Sequence, residues 1–340
     1  MISQHFRTAA EPPEALVNNS PHVCPSSDGP LISIVMPAFN VESFIAEAIE
    51  SVRSQTFSAW ELLVVNDGSS DNTETVARSW AARDQRIRVF SQANRGQGHA
   101  RNTALAQCRG RLIAFLDADD LWPPEKLAVQ LAVLKRENVD VVFSGGSAFE
   151  SQSYQPDNQP FGSTLTGRIA PAEAWRLQRS AARIPMCTFL GKTHVIVELG
   201  GFDEAPSIRG SEDYDLVCRL ARHGCTFFGL PDALYRYRRY STQTSASRLG
   251  MLRSELAVVE KNWGAVERTD PIARLRIANL RRALIREYLG LGDLKEARRL
   301  LGLIRRADPW RPGLYLQTAL LLLAPRLFAA WTARRELRTA

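Results

Sequence analysis

Apolar runs of strand length alternate with segments of helical period between residues 31 and 144, and few folds accept that pattern. The runs are "LISIVMP" (31–37), "ELLVVN" (61–66), "RIRVFS" (86–91), "RLIAFL" (111–116) and "VDVVFS" (139–144). Helices are predicted near 42–55, 71–83, 98–107 and 124–137, the last opened by Pro123-Pro124, since proline suits a first helical turn. Strands that are apolar at almost every position need cover on both faces, and strands separated by helices run parallel. The expected class is α/β, with an open, doubly wound, mostly parallel sheet. Ligands of such sheets bind beyond the carboxyl ends of the strands. Polar clusters end three runs there: Pro37-Ala38-Phe39-Asn40, Asn66-Asp67-Gly68-Ser69-Ser70 and Asp117-Ala118-Asp119-Asp120. The last sets three carboxylates in one short loop, where they repel one another unless a cation is shared between them.

At 340 residues, 45% hydrophobic and 23% charged, the chain can bury one large core and a smaller one. The five cysteines are odd in number, widely spaced and free of C-x-x-C pairs, which argues against a disulfide framework or a zinc site and fits a reducing cytosol. Residues 1–30 hold "EPPEAL" and "CPSSDGP" rather than a basic start and an apolar block, and read as a disordered leader with no signal peptide. The net charge of +7 is uneven: residues 241–340 carry 19 of the 43 basic and 9 of the 36 acidic side chains. The first 240 residues are therefore slightly acidic, which argues against nucleic acid as a partner of the core.

Five segments, "ISIVMPAFNVESFIAEAIESVRSQTF", "ELLVVNDGSSDNT", "NRGQGHARNTAL", "RLIAFLDADDLW" and "GGFDE…SEDYDLVCRLARHG", resemble in order the blocks of the family 2 inverting glycosyltransferases of GT-A fold. The resemblance spans roughly residues 31–240 and implies a GT-A domain over 31–245. It implies transfer of a sugar from a nucleotide-diphospho-sugar, most often a UDP-sugar, to a hydroxyl of a glycan or lipid-linked acceptor. Asp117 and Asp119 match the family's D-x-D pattern, hard oxygen ligands for Mg²⁺ or Mn²⁺. The resemblance places Asp119 at the metal and Asp117 at the ribose or the outer shell of the metal. It places Asp67 at the nucleobase, Pro37, Ala38 and Asn40 along the base, and Arg101 near the nucleotide. Glu42 reads equally as a nucleoside contact or as a first-turn acid favoured by its helix dipole. In "SEDYDLVCRLARHG", Ser211 reads as N-cap and Gly224 as the residue past the helix end. That puts Glu212 and Asp213 in the first turn. The family pattern makes Asp213 the general base and Glu212 its orienting or acceptor-binding neighbour; the plain alternative is two acids on a helix dipole. Arg238 and Arg239 in "YRYRRYSTQTS" could close over the diphosphate or form a basic surface loop.

Residues 246–310 read as a helical extension, in which 288–309 resembles one tetratricopeptide unit through Tyr288, Gly292, Ala297 and Pro309. A single unit cannot bury its own faces and should pack on the catalytic domain or a partner. Residues 311–340 form a basic tail whose apolar run, Leu314 to Trp331, is interrupted by Gln317, Thr318, Pro325 and Arg326. It falls short of a membrane span and reads as an interfacial segment or a packing helix. Three classes stand: a cytoplasmic glycosyltransferase at the inner face of the membrane in surface polysaccharide or glycolipid synthesis, a nucleotidyltransferase, and a noncatalytic scaffold. No Gly-rich basic phosphate loop follows the first run, which counts against the second. The full carboxylate set counts against the third.

Overall fold

A computed structural model describes residues 30–150, 156–178, 184–240 and 247–307. The leader and the tail, including Pro309 and the run from Leu314 to Trp331, lie outside the described residues. The apolar runs form β1 (Ile32–Ala38), β2 (Trp60–Asp67), β3 (Ile87–Gln92), β4 (Leu112–Phe115) and β5 (Val141–Glu150), and β1, β2 and β4 are buried along their whole length. Between them run α1 (Ile45–Arg53), α2 (Thr73–Ala81), α3 (Gln97–Leu105) and α4 (Lys126–Glu137). Helix α4 starts two residues after Pro124, with Glu125 as N-cap.

The remaining strands are β6 (Pro156–Gly162), β7 (Gly167–Ile169), β8 (Leu190–Lys192) and β9 (Phe227–Arg239). The sheet runs β3-β2-β1-β4-β8-β5-β9-β7, with β6 beside β5. β1, β2, β3 and β4 pair in parallel, whereas the three-residue β8 is antiparallel to both β4 and β5. The second half of the sheet is therefore mixed, and β8 separates β5 from β4. Strand order reverses between β1 and β4, so the switch point where such sheets bind ligands lies between the loops after residues 38 and 115. Their register ends at Val35↔Phe115, beyond which the two strands part and Pro37 can take its place without breaking that ladder.

Helices α5 (Pro171–Gln178), α6 (Thr193–Glu198) and α7 (Glu212–His223) cover the β8 side, and α8 (Arg248–Trp263), α9 (Pro271–Gly290) and α10 (Leu294–Ala307) follow. Ile208, Tyr214 and Cys218 share one core cluster with Trp263, Leu280, Tyr288 and Leu300, so the last three helices pack on the catalytic domain through α7. Asp270 caps α9 by accepting from the N–H groups of Ile272 and Ala273, with Pro271 in the first turn. Arg281, buried in α9, pairs with Glu260 at 2.8 Å and Glu267 at 2.5 Å and ties α9 to the end of α8.

A buried polar belt joins α4 to the 3-10 turn Met186–Thr188. Lys126, 0% exposed, donates to Gln130 Oε1 at 2.5 Å and lies 4.3 Å from the Trp122 ring centroid, while Gln130 Nε2 donates to the Thr188 carbonyl. Burial lowers the Lys126 ammonium to about 7. Its charge therefore opposes folding fully below that pH, and the penalty fades as pH rises toward the unfolded value. Lys126→Met is expected to raise Tm more at pH 6 than at pH 9. An equal gain at both pH values would mean the ammonium is not held in a desolvating site.

Candidate active site

Two loops at the end of β1 and β2 are laced together by their own side chains. Asn40, at φ 51°, accepts through Oδ1 from the Ser70 N–H at 2.8 Å, and its own N–H donates to Ser69 Oγ. Glu42 accepts from the Asn72 N–H and donates its own N–H to Asp71, so its carboxylate caps α2 rather than the helix that follows it. Pro37 and Ala38 are the buried last residues of β1, and beyond them Phe39 stands 46% exposed. Asp67 is buried and accepts from Gln92 Nε2 and from the N–H groups of Arg95 and Gly96, which pins loop 93–96 over the end of β2. Those bonds use three of about four acceptor positions of a carboxylate.

The three carboxylates of residues 117–120 each have a different partner. Asp117 accepts from Arg101 Nη2 at 2.8 Å. Asp119 accepts through Oδ2 from the Tyr240 hydroxyl at 2.7 Å. Asp120, 1% exposed, turns inward, with Oδ2 accepting from the Tyr235 hydroxyl at 2.5 Å and Oδ1 from the Arg238 N–H at 2.7 Å. Burial first, then the charges of its neighbours, pushes the Asp120 carboxyl well up, and burial and Asp117 raise Asp119. Arg238 is a brace: 1% exposed, it donates to the Asp119 carbonyl and to Glu47 and lies between the rings of Phe44 and Phe149. The rest of the basic loop, residues 241–246, lies outside the described residues.

Arg101 joins this loop to the opposite wall. It is 6% exposed, and burial, which opposes its charge, is outweighed by Asp117, Glu212 and Asp213, so its affinity for a proton rises. Its Nε has no hydrogen-bond partner. Gly98 lets α3 approach this closely, because a Cβ there would meet Glu212 Cγ at 3.0 Å. Glu212 is buried, accepts from the Gly210 N–H and is raised mainly by burial, against the pull of Arg101. Asp213, next in the turn, stays partly exposed and accepts from the Tyr214 N–H. Ser211 holds the N-cap position without a side-chain cap bond, its hydroxyl pairing instead with Ser254 of α8, and Gly224 ends α7 at φ 95°. Asn102 fastens the Gly200-Gly201-Phe202-Asp203 loop by exchanging bonds with the Phe202 backbone, and Asp203 is tied to Lys261 at 2.7 Å.

Asp117, Arg101, Glu212 and Asp213 thus meet in one place, with Asp119 beside them, whereas Asn40, Glu42 and Asp67 lie in the loops at the ends of β1 and β2. Tyr235, Tyr240 and Phe39 were not singled out from the sequence; the two tyrosines are 115 and 121 residues from their aspartates, and no local pattern marks such a pairing. No cluster of three or more His, Cys, Asp or Glu side chains placed for a metal occurs among the described residues. The Asp117 and Asp119 pair nevertheless fits a hard divalent cation that takes one or two carboxylates and completes its sphere with phosphate and water. Arg101 and Tyr240 each engage a single oxygen of the pair, and the mutual repulsion of the two groups is only partly relieved.

A GT-A sheet with this carboxylate-lined switch point defines a nucleotide-sugar transferase. The family model "Glycosyl transferase family 2" matches residues 33–181. The uncharacterized glycosyltransferase RT0329 of Rickettsia typhi is 33% identical over 230 residues, covering 66% of this chain and 68% of its own. TuaG of Bacillus subtilis, named for teichuronic acid biosynthesis, is 27% identical over 227 residues, covering 64% and 83%. Escherichia coli WfgD, a UDP-Glc:alpha-D-GlcNAc-diphosphoundecaprenol beta-1,3-glucosyltransferase, is 39% identical over 127 residues, covering 37% and 49%. Among solved structures, S. aureus TarS 1–349 with UDP-GlcNAc superposes at TM-score 0.58 and 19% identity, covering 88% of each chain. The mannosyltransferase PcManGT of Pyrobaculum calidifontis with GDP-Man and Mn²⁺ does so at 0.55 and 20%, covering 93% and 87%. The chain belongs to glycosyltransferase family 2.

Asp120→Ala is expected to destabilise the fold strongly, because it leaves the buried Tyr235 hydroxyl and Arg238 N–H without an acceptor, at about 1–3 kcal/mol for each. Asp119→Ala should cost far less. Equal losses in denaturant melts of the two variants would reject the division of labour within the loop.

Proposed function

We propose that the enzyme transfers a hexosyl unit with inversion from a nucleotide-diphospho-sugar, UDP-linked in the simplest reading, to a hydroxyl of a glycan or lipid-linked acceptor in cell-surface polysaccharide or glycolipid synthesis. The observation that carries this reading is the convergence of Asp117 and the Glu212–Asp213 turn on one buried arginine, Arg101. The names of TuaG and WfgD support the surface-polymer and lipid-linked acceptor classes.

In this reading the nucleoside lies over the end of β1 and β2. The exposed ring of Phe39 gives the base a face to pack on, Pro37 and Ala38 set the floor, and Asn40 and Glu42 hold the two loops in register. Asp67 keeps one acceptor position for a base N–H. Asp119, assisted by Asp117, would hold Mg²⁺ or Mn²⁺, which would supply positive charge to offset the negative charge of the departing diphosphate. Arg101 keeps Asp117 oriented and lowers the cost of two nearby acids. Asp213, partly exposed at the start of α7, accepts the proton of the acceptor hydroxyl while that oxygen bonds to the anomeric carbon. The bond from that carbon to the diphosphate breaks on the opposite face, and the nucleoside diphosphate leaves with the electron pair. Glu212, buried and protonated more readily, fixes the turn through Gly210.

Asp213→Asn keeps size and hydrogen bonding but not proton acceptance, and is expected to lower turnover about 10²–10⁴-fold with donor affinity nearly unchanged. Glu212→Gln measured in parallel separates the two acids. Near-normal transfer by the position 213 variant would remove Asp213 from this role, and loss confined to Glu212→Gln would move the base one residue earlier.

The enzyme is further proposed to work at the inner face of the cytoplasmic membrane, with residues 311–340 touching anionic lipid. Among the described residues no helix is long and apolar enough to cross a membrane. The tail is both apolar and arginine-bearing, as an interfacial segment needs to be. Deleting 311–340 should abolish sedimentation with phosphatidylglycerol vesicles and leave donor hydrolysis intact. Undiminished vesicle binding by the truncated enzyme would place the contact elsewhere.

A further inference from the structure

The loop carboxylates differ in how many of their oxygens are taken. Asp120 has none to spare: Oδ2 accepts from the Tyr235 hydroxyl and Oδ1 from the Arg238 N–H, and the residue is 1% exposed. Asp117 gives Oδ1 to Arg101 Nη2 at 2.8 Å, and no hydrogen bond from another described residue reaches its Oδ2. Asp119 gives Oδ2 to the Tyr240 hydroxyl at 2.7 Å, and its Oδ1 is open in the same sense. The last torsion of an aspartate is broad, so a carboxylate left alone turns readily about it. A hydrogen bond to one oxygen removes that freedom and fixes where the other oxygen points.

Tyr240 is itself held in place. Its ring lies against Phe44, with centroids 4.8 Å apart and planes tilted by 44°, and Phe44 stands at the N-cap of α1. The Arg238 guanidinium covers the same Phe44 ring at 4.9 Å, is anchored on Glu47 of α1 at 2.7 Å, and donates through Nε to the Asp119 carbonyl. One unit therefore grips Asp119 twice, the main chain through Arg238 and the side chain through Tyr240, two residues further along. Space filling does not call for the hydroxyl, since a phenylalanine would pack on Phe44 as well. What the hydroxyl adds is a donor aimed at one oxygen of a carboxylate that the charge of Asp117 repels.

We propose that Tyr240 is a positioning residue for the divalent cation: its hydroxyl ties Oδ2 of Asp119 so that Oδ1 is kept free and oriented for Mg²⁺ or Mn²⁺. The inference rests on the metal reading of Asp119 given above. Partners that orient a ligand in this way are typically worth about 10–100-fold in metal affinity. The test compares full-length wild type, Tyr240→Phe and Asp119→Ala. Mn²⁺ binding with UDP present is followed through the EPR signal of the free ion, and UDP affinity without metal and Tm are measured on the same samples. Tyr240→Phe keeps the ring on Phe44 and is expected to weaken Mn²⁺ binding about 10–100-fold, with Tm and metal-free UDP affinity little changed. Asp119→Ala is expected to abolish Mn²⁺ binding. The inference is overturned if Tyr240→Phe binds Mn²⁺ as tightly as wild type, or more tightly, which would mean that the hydroxyl competes with the cation for Asp119. It is also overturned if the loss is matched by an equal fall in metal-free UDP affinity or by a lowered Tm, as a general loosening at the end of β9 would produce. Mn²⁺ binding that survives Asp119→Ala, or is missing from wild type, would instead remove the metal reading and this inference with it, so the variant that keeps or loses the cation tells the two failures apart.

Discussion

Three carboxylates within four residues, at the end of a buried strand, set the terms on which the rest of the site is built. Left together in a desolvated loop they would repel one another, and each is instead given a separate partner. Asp117 goes to Arg101, Asp120 goes inward to Tyr235 and the Arg238 N–H, and Asp119 is left half-buried with one tyrosine hydroxyl. The partition explains why β9 must end beside the loop after β4: Tyr235, Arg238 and Tyr240 all come from that one segment. It also explains a fully buried arginine whose charge is balanced by Glu47, and whose two aromatic neighbours exclude water from the brace.

Arg101 extends the same logic across the cleft. Its charge faces both Asp117, in the loop after β4, and the first turn of α7, where Glu212 and Asp213 lie. One cation thus lies in the field of acids that the chain brings from residues 117, 212 and 213, and it is paired directly with the first of them. Helix α7 then links this site to the C-terminal helices, since Tyr214 and Cys218 on its buried side belong to the core of α8, α9 and α10. The extension packs on the helix that carries the proposed base rather than hanging from the catalytic domain as an independent module.

Much of the fold was legible in the sequence. The strands β1, β2 and β4 announced themselves because residues buried on both faces are apolar at nearly every position, while the edge strand β3 buries only Ile87, and the polar clusters that begin at residues 37, 66 and 117 fell at the sheet's carboxyl end as the topology requires. The place of Glu212 and Asp213 in a first helical turn was readable because Ser211 precedes their helix and Gly224 ends it, whereas their roles came only from the family resemblance. What could not be read is of two kinds. β8 has three residues, too few for any periodicity, yet it makes the sheet mixed by entering between β4 and β5. The partners of Asp119 and Asp120 are long-range, and a tyrosine in a strand carries no local sign of the carboxylate it will meet. Ser211 shows the converse, a correct position with a different bond, because Ser254 on α8 offers its hydroxyl a partner that sequence spacing cannot foresee.

The central claim is that the loop partition leaves Asp119, with Asp117, for a divalent cation that neutralises the departing diphosphate. Anomalous diffraction at the manganese edge from crystals grown with UDP and Mn²⁺ tests it in one measurement. A single peak bridging the Asp119 carboxylate and the diphosphate oxygens is the predicted result. Well-ordered UDP with no peak at Asp119, or a peak held by other side chains, would contradict the account.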